Sequence, residues 1–222
     1  HGVVVGADEQ RAGRGRWGHT WESPAGAGLY VSFVARPPVR DHSSLPLVTL
    51  AAGVAVRDGV QAATGLAPSL KWPNDVLVGA RKLAGILAEG LNLGTPAQAV
   101  VIGVGVNLRP SSFPPEVASR ATSLEGELGR EVDRGAVLAE ILTALWDRLA
   151  TLERSPGDIL QAWRAASPSA RGTRVEWEGR AGTTAGIDDA GALLVRTSAD
   201  TERVIAGELV WHLGSAPGHL GT

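Results

Sequence analysis

Ser69-Leu70-Lys71-Trp72-Pro73-Asn74-Asp75-Val76-Leu77-Val78-Gly79-Ala80-Arg81-Lys82-Leu83-Ala84-Gly85-Ile86-Leu87-Ala88-Glu89 is the stretch on which the fold turns. It holds three apolar runs of strand type, Ser69 to Trp72, Val76 to Val78 and Lys82 to Glu89, and a fourth follows from Ala99 to Leu108. A parallel crossover needs about a dozen residues or more, usually a helix, and these gaps are too short for that. The spacing therefore predicts hairpins and an α+β fold with a mixed, largely antiparallel sheet.

Upstream, Leu29-Tyr30-Val31-Ser32-Phe33-Val34 reads as a strand ended by Pro37-Pro38. Ser43 or Ser44 can cap a helix running to about Ala63, with Thr64-Gly65 closing it. The run Val3-Val4-Val5 leads through Ala7-Asp8-Glu9-Gln10 into a Gly/Arg-rich loop from Arg11 to His19. Downstream, Arg134 to Leu152 places Val137, Leu138, Ile141, Leu142, Leu145 and Leu149 at helical spacing. A second helix follows from Ser155 to Ala166, with Pro156 in its first turn. Ser167-Pro168-Ser169 reads as a linker. Beyond it the runs Thr173 to Trp177, Ala181 to Asp188, Ala192 to Arg196 and Arg203 to Trp211 predict a small β-barrel. The expected units are residues 1–168 and residues 169–222.

Composition removes several classes of function. Among 222 residues, 44% are hydrophobic and the net charge is −2, which argues against a generic nucleic-acid binder. With no Cys there is no disulfide scaffold, thiolate metal site or cysteine nucleophile, and the five His have no metal-ligand spacing. No run approaches the ~20 apolar residues of a membrane span, and no secretory signal is visible, so a cytoplasmic protein is expected. Residue 1 is His and Met is absent, so His1 is not expected to be the native start. The 21 basic residues comprise 19 Arg and only two Lys, Lys71 and Lys82, both within the opening stretch.

Four motifs carry chemistry. In Gly13-Arg14-Gly15-Arg16-Trp17-Gly18, glycines let backbone N–H groups approach a ligand while guanidinium forks hold anionic oxygens. It lacks the Gly-Lys-Ser/Thr end of a Walker A loop and is not a Rossmann loop, so an anion site and an RNA-contacting basic loop both remain open. Lys71-Trp72-Pro73-Asn74-Asp75 makes a tight turn out of a strand, with Asn74 or Asp75 placed to bind ribose or metal. Lys82 opens the apolar strand that contains Gly85. A lysine at the mouth of a sheet pocket can neutralise a carboxylate and a phosphate brought together. Val101-Ile102-Gly103-Val104-Gly105-Val106-Asn107 offers a flat wall for a ring system, or simply a bent buried strand.

In that order, Gly13-Arg14-Gly15-Arg16-x-Gly18-x-x-Trp21, Lys71-Trp72-Pro73-Asn74-Asp75, Lys82-Leu83-x-Gly85-Ile86-Leu87 and Gly103-Val104-Gly105-Val106-Asn107 closely resemble the biotin protein ligases, over essentially the whole chain. The resemblance implies a class II synthetase-like sheet with helices on one face and a C-terminal SH3-like barrel. It implies activation of biotin by ATP and Mg²⁺ to biotinyl-adenylate, then transfer to a lysine of a biotin carboxyl carrier protein. Neither a prosthetic group nor a protein cluster for metal is expected, Mg²⁺ being carried with ATP. Gln10 would face biotin, and Gly13, Arg14, Gly15 and Arg16 would close over biotin and the adenylate phosphate. Lys82 would bridge the biotin carboxylate and the α-phosphate, so Lys82 and Arg16 would be catalytic. Gly85, Gly103 and Gly105 would line the pocket, Asn107 would lie near the adenine, and Asn74 and Asp75 would support nucleotide or metal.

The chain departs from the family in three respects. The family has a Ser-Thr-Asn segment ahead of the Ala-Asp-Glu-Gln stretch that grips the ureido end of biotin, and this chain is expected to begin beyond it. His19 stands where Arg is usual, which makes the charge of the loop pH-dependent. No helix-turn-helix region precedes the catalytic part, so no DNA-binding region is expected within this sequence. A lipoate or octanoyl ligase on a related scaffold is the sister alternative. A nucleic-acid-binding module built on Arg11, Arg14, Arg16 and the barrel is an alternative of another class, and it leaves Lys82, Gly85 and Asn107 without a role.

Overall fold

The structure, a computed structural model, describes residues 1–36, 44–205 and 207–213. A six-stranded antiparallel sheet forms the larger part, built from β1 (Val3–Ala7), β2 (Gly28–Ala35), β3 (Ser69–Lys71), β4 (Asp75–Val78), β5 (Arg81–Leu91) and β6 (Ala99–Asn107). Their spatial order is β1-β2-β6-β5-β4-β3. Every pairing is antiparallel, as the short gaps require.

Alternation along β6 divides the two faces. Val100, Ile102, Val104 and Val106 are buried toward the helices, while Val101, Gly103 and Gly105 face a cleft on the other side. Helix α1 (Leu45–Thr64) lies on the buried face, and α3 (Arg134–Arg154) and α4 (Pro156–Ala166) pack against α1. The short α2 (Leu124–Leu128) is capped by Ser123, and Asp133 caps α3 by accepting from the N–H groups of Gly135 at 2.8 Å and Ala136 at 3.1 Å. Ser44 precedes α1 but its side chain makes no cap bond; Pro46 in the first turn sets the start instead. Ser43 lies outside the described residues.

The second sheet comprises β7 (Arg171–Trp177), β8 (Arg180–Ile187), β9 (Leu193–Arg196), β10 (Thr201–Val204) and β11 (Val210–Trp211), in the order β10-β9-β8-β7-β11. It is antiparallel throughout. The run Arg203 to Trp211, read above as one strand, is two. Residues 201–204 extend the sheet beyond β9, Gly207 takes φ +128°, and 210–211 pair with β7 on the opposite edge. A left-handed glycine breaks a ladder that apolar pattern alone would continue.

One apolar core joins both sheets: Val175, Trp177, Leu193 and Val195 belong to the cluster that holds Leu70, Trp72 and Leu160. Trp72 is buried behind a cis peptide to Pro73, and its indole N–H donates to the Gly191 carbonyl at 2.9 Å. The turn that carries Asn74 and Asp75 is thus fastened to the second sheet.

Contact between α1 and α3 is close enough to dictate sequence. A Cβ at Gly59 would lie 2.6 Å from the backbone N and Cα of Ile141, atoms that cannot turn aside. Beside it, Arg148 forks onto Asp58 through Nε at 3.1 Å and Nη2 at 2.7 Å. Replacing a helical glycine by alanine ordinarily gains about 1 kcal/mol, whereas overpacking costs typically ~1–3 kcal/mol. Gly59→Ala is therefore expected to lower the free energy of urea unfolding by about 1 kcal/mol, sterics outweighing propensity. A variant as stable as wild type would remove this account of the helix pair.

Candidate functional site

Lys82 and Gly85 are three residues apart, so unbroken alternation would send them to opposite faces. The structure prevents this with a bulge. Asp75 pairs with Gly85 and Val76 with Ala84, but Leu77 pairs with Lys82, leaving Leu83 as the extra residue. Leu83 is buried in the core, and Lys82 turns onto the cleft face with Gly85. Backbone bonds fix it there: Lys82 N–H donates to the Arg120 carbonyl at 2.7 Å, and its carbonyl accepts from Thr122 N–H at 2.9 Å.

Both lysines of the chain converge on Asp75. Lys71 Nζ lies 2.8 Å from one carboxylate oxygen and Lys82 Nζ 2.5 Å from the other. Burial would raise the Asp75 pKa, but Lys82 and then Lys71 outweigh it and hold the carboxyl below its ordinary value. Each ammonium also sits near an indole face, Lys82 at 5.3 Å from the Trp21 ring centre and Lys71 at 5.9 Å from that of Trp211. With one carboxylate between two ammonium groups, the cluster carries a net positive charge. Arg16 adds to it: partial burial lowers its pKa while the charge of Asp75 raises it. Among the described residues, Arg16 has no carboxylate in ion-pair contact.

The Gly/Arg loop folds back as a narrow hairpin. Trp21 N–H donates to the Gly13 carbonyl at 3.0 Å, Gly15 N–H donates to the His19 carbonyl at 2.7 Å, and Arg14 bridges Thr20. At its tip Trp17 takes φ 56°, a costly conformation for a bulky residue. A Cβ at Gly13 would lie 2.2 Å from the Trp21 carbonyl, so only glycine allows the hairpin to close. Arg14 turns to Glu89 at 3.1 Å, and His19 meets the carboxylate of Glu208 from the segment before β11.

Gly85 and Gly105 pair across β5 and β6 and form one flat patch. Trp21 lies over it: a Cβ at Gly105 would be 2.5 Å from Trp21 Cε2 and one at Gly85 3.0 Å from Trp21 Cζ3. Its buried indole N–H has no acceptor among the described residues. Gly103 lies farther along the same face.

The expected site residues divide by what they hold. Gln10 lines the cleft while its side-chain oxygen accepts from Ser23 at 2.8 Å. Asn74 donates to the Ile86 carbonyl at 2.8 Å, and Asn107, buried, donates to the Thr122 carbonyl at 3.0 Å and the Lys82 carbonyl at 3.4 Å. Their amide donors fasten the segments around Lys82. The sequence reading gave no role to Trp21, Lys71, Arg120 or Trp211, although Trp21 and Lys71 stood inside quoted motifs. Nothing in sequence signalled that residues 207–211 return to the cleft.

Two chambers result. One, about 570 Å³, is lined by Gln10, Arg16, Gly85, Leu87, Gly103 and Gly105; the other, about 850 Å³, by Asn107, Phe113, Pro114, Val117 and Leu213. Trp21, Lys71, Asp75, Lys82, Arg120 and Trp211 line both. Such an arrangement can hold two ligands whose anionic ends meet over the lysines. Among the described residues there is no group of three His, Cys, Asp or Glu that could hold a metal ion, and no helix is long and apolar enough to cross a membrane.

The family model described as "Biotin/lipoate A/B protein ligase family" matches residues 1–107. The chain is 34% identical over 215 residues to the bifunctional ligase/repressor BirA of Bacillus subtilis, covering 94% of this chain but 66% of that protein, just under two thirds of its length. It is 38% identical over 214 residues to the biotin–[acetyl-CoA-carboxylase] ligase of Paracoccus denitrificans, covering 91% of this chain and 88% of that one. The biotin protein ligase from Aquifex aeolicus in complex with biotin and ATP superposes with a TM-score of 0.81 at 28% identity, covering 95% of this chain and 89% of that chain.

The Asp75 cluster has a pH signature. Its folded pKa lies below the ordinary 3.8, so its contribution to stability is present above that value and is lost as pH falls through the folded pKa. Denaturant unfolding between roughly pH 6 and roughly pH 3 is therefore expected to cost Asp75→Asn less stability than wild type. Equal acid losses in the two proteins would show that Asp75 does not titrate as the geometry requires.

Proposed function

The chain belongs to the biotin/lipoate A/B protein ligase family, and from that premise we propose that it activates biotin with ATP and transfers the biotinyl group to a lysine of a biotin carboxyl carrier protein. The observation that carries this reading is the seam between the chambers, where Lys82 stands between a glycine-floored pocket and a second cavity, with Arg16 lining the first pocket. A carboxylate must attack the α-phosphorus of ATP, and repulsion between these anions is a large part of the barrier. Cations held close to the meeting point offset it.

In the first step a biotin carboxylate oxygen bonds to the α-phosphorus, the bond to the β-phosphate oxygen breaks, and pyrophosphate leaves with its electron pair. Lys82 and Arg16 hold the two anions in line. Mg²⁺ arrives with ATP as part of that substrate. In the second step the uncharged amine of the carrier lysine attacks the acyl carbon, AMP leaves, and an amide forms with loss of a proton. Gly13, Arg14, Gly15 and Arg16 cover the mixed anhydride and exclude water. Gln10, Gly85, Gly103 and Gly105 bound the biotin pocket. Asp75 stands at the nucleotide side, while Asn74 and Asn107 hold the strands that frame it. No nucleophile need come from this chain.

The division into residues 1–168 and residues 169–222, closure of the second sheet as an SH3-like barrel, and a cytoplasmic location, where ATP is abundant, belong to the same proposal.

Removing one preorganised electrostatic contact typically costs ~10²–10³ in rate. Lys82→Ala in the full-length protein is accordingly expected to lower biotin-dependent ATP–pyrophosphate exchange by at least about 10². Near-wild-type exchange in that variant would remove Lys82 from the mechanism. Mass spectrometry of a carrier domain incubated with protein, Mg-ATP and biotin should show one added biotin; addition only when lipoate or octanoate replaces biotin would favour the sister enzyme.

A further inference from the structure

Lys82 meets a difficulty in the reaction proposed for it. It must serve two incoming anions, yet its ammonium is already held 2.5 Å from Asp75, on a carboxylate nearly withdrawn from water. A buried carboxylate stripped of its only cation would be left uncompensated, which is costly. Lys82 could turn to substrate only if Asp75 kept another partner. Lys71 is that partner, at 2.8 Å on the opposite oxygen.

We propose that Lys71 is a positioning residue: it keeps Asp75 neutralised so that Lys82 is free to leave for the substrate anions, and Trp211 of the second sheet holds Lys71 in that place. The inference rests on the ligase reading above. Three observations support it. The i,i+4 pair Lys71–Asp75 spans a turn clamped by Trp72 to Gly191 and by Asn74 to β5, so the backbone that carries Lys71 and Asp75 is held in place. Lys71 is also the more enclosed of the two, its side chain 20% exposed against 35% for Lys82. Finally, the indole of Trp211 faces the Lys71 ammonium at 5.9 Å, supplied by a strand of only two residues that pairs with β7. The chain thereby gives each lysine a different task.

The second sheet then acts on the reaction through a chain of contacts, Trp211 to Lys71 to Asp75 to Lys82. This predicts a pattern that simple substrate binding by Lys71 would not give. In the full-length protein, Lys71→Met should lower kcat for biotin-dependent ATP–pyrophosphate exchange about 10- to 100-fold while the KM values for biotin and ATP change less than about 3-fold. In an Asp75→Asn background, where there is no carboxylate to release, the same substitution should cost less than about 3-fold. Trp211→Leu should cost about 3- to 10-fold in the presence of Lys71 and nothing beyond Lys71→Met alone. Losses that multiply in the Asp75→Asn background, or that fall on KM alone, would overturn the proposal. If Lys71→Met does not fold, the Trp211→Leu cycle against Asp75→Asn reads the same coupling.

The scarcity of lysine supplies a readout independent of substrate. With lysine selectively labelled at Cε and Nζ, the signals of Lys71 and Lys82 are assigned by Lys71→Arg and Lys82→Arg. The Lys82 signal should shift in Lys71→Met, where it alone holds Asp75, and the Lys71 signal should shift in Trp211→Leu. Absence of both shifts overturns the positioning role whatever the substrate. Shifts in a protein that performs no exchange with biotin would uphold the positioning role and count against the ligase reading alone.

Discussion

The carboxylate of Asp75 between two ammonium groups is the interaction around which the rest is arranged. A carboxylate so withdrawn from water is tolerable only with close cations, and an ammonium in a sheet pocket is tolerable only with a close anion. Each of the three groups comes from a different strand: Lys71 ends β3, Asp75 begins β4, and Lys82 lies near the start of β5. The tight turn between β3 and β4 sets the first two, and the bulge at Leu83 sets the third. Remove the bulge and Lys82 would point into the apolar core. The irregularities of the sheet are therefore the means by which the site is assembled.

The second constraint is flatness. Gly85 and Gly105 are neighbours across two strands, and the indole of Trp21 rests on the bare backbone they expose. Glycine weakens a strand by withholding a side chain, so two paired glycines in the middle of a sheet carry a cost in stability. That cost is offset by Trp21, which covers the patch, and by the valines and isoleucine on the opposite face of β6, which are buried nearly completely. The same strand is a core element on one face and a pocket floor on the other, and period-two alternation lets both be met at once.

These features were legible in sequence to different degrees. The antiparallel sheet followed from the short gaps after Lys71 and Val78, because no helix fits within them. The helices followed from apolar spacing, and α3 begins at the residue the pattern gave. Gly85 and Gly105 stood out as glycines in otherwise apolar strands, but their partner Trp21 did not, since no local pattern in a hairpin tells where an indole will settle. Asn74 and Asn107 looked like ligand contacts by residue type; the structure engages their amide donors with backbone carbonyls, a distinction that composition cannot make. The run ending at Trp211 read as one strand because apolar content is blind to the left-handed turn at Gly207.

What sequence conceals most is the return of residues 207–211 to the cleft, and it has a physical reason. Contacts such as Trp211 with Lys71 and Glu208 with His19 join positions more than a hundred residues apart, and neither partner is part of a periodic pattern. The two links differ in kind. His19 and Glu208 are both well exposed, and a polar contact between exposed side chains contributes little to stability, so its loss has small consequence for the fold. Trp72 with Gly191 is buried and contributes to the shared core, so it persists as long as the fold does. The second sheet is thus held permanently at the floor of the site and loosely at its rim. The rim contact ties the hairpin from Gly13 to Trp21 to the segment before β11, while the floor contact holds the turn that carries Asp75 against the second sheet.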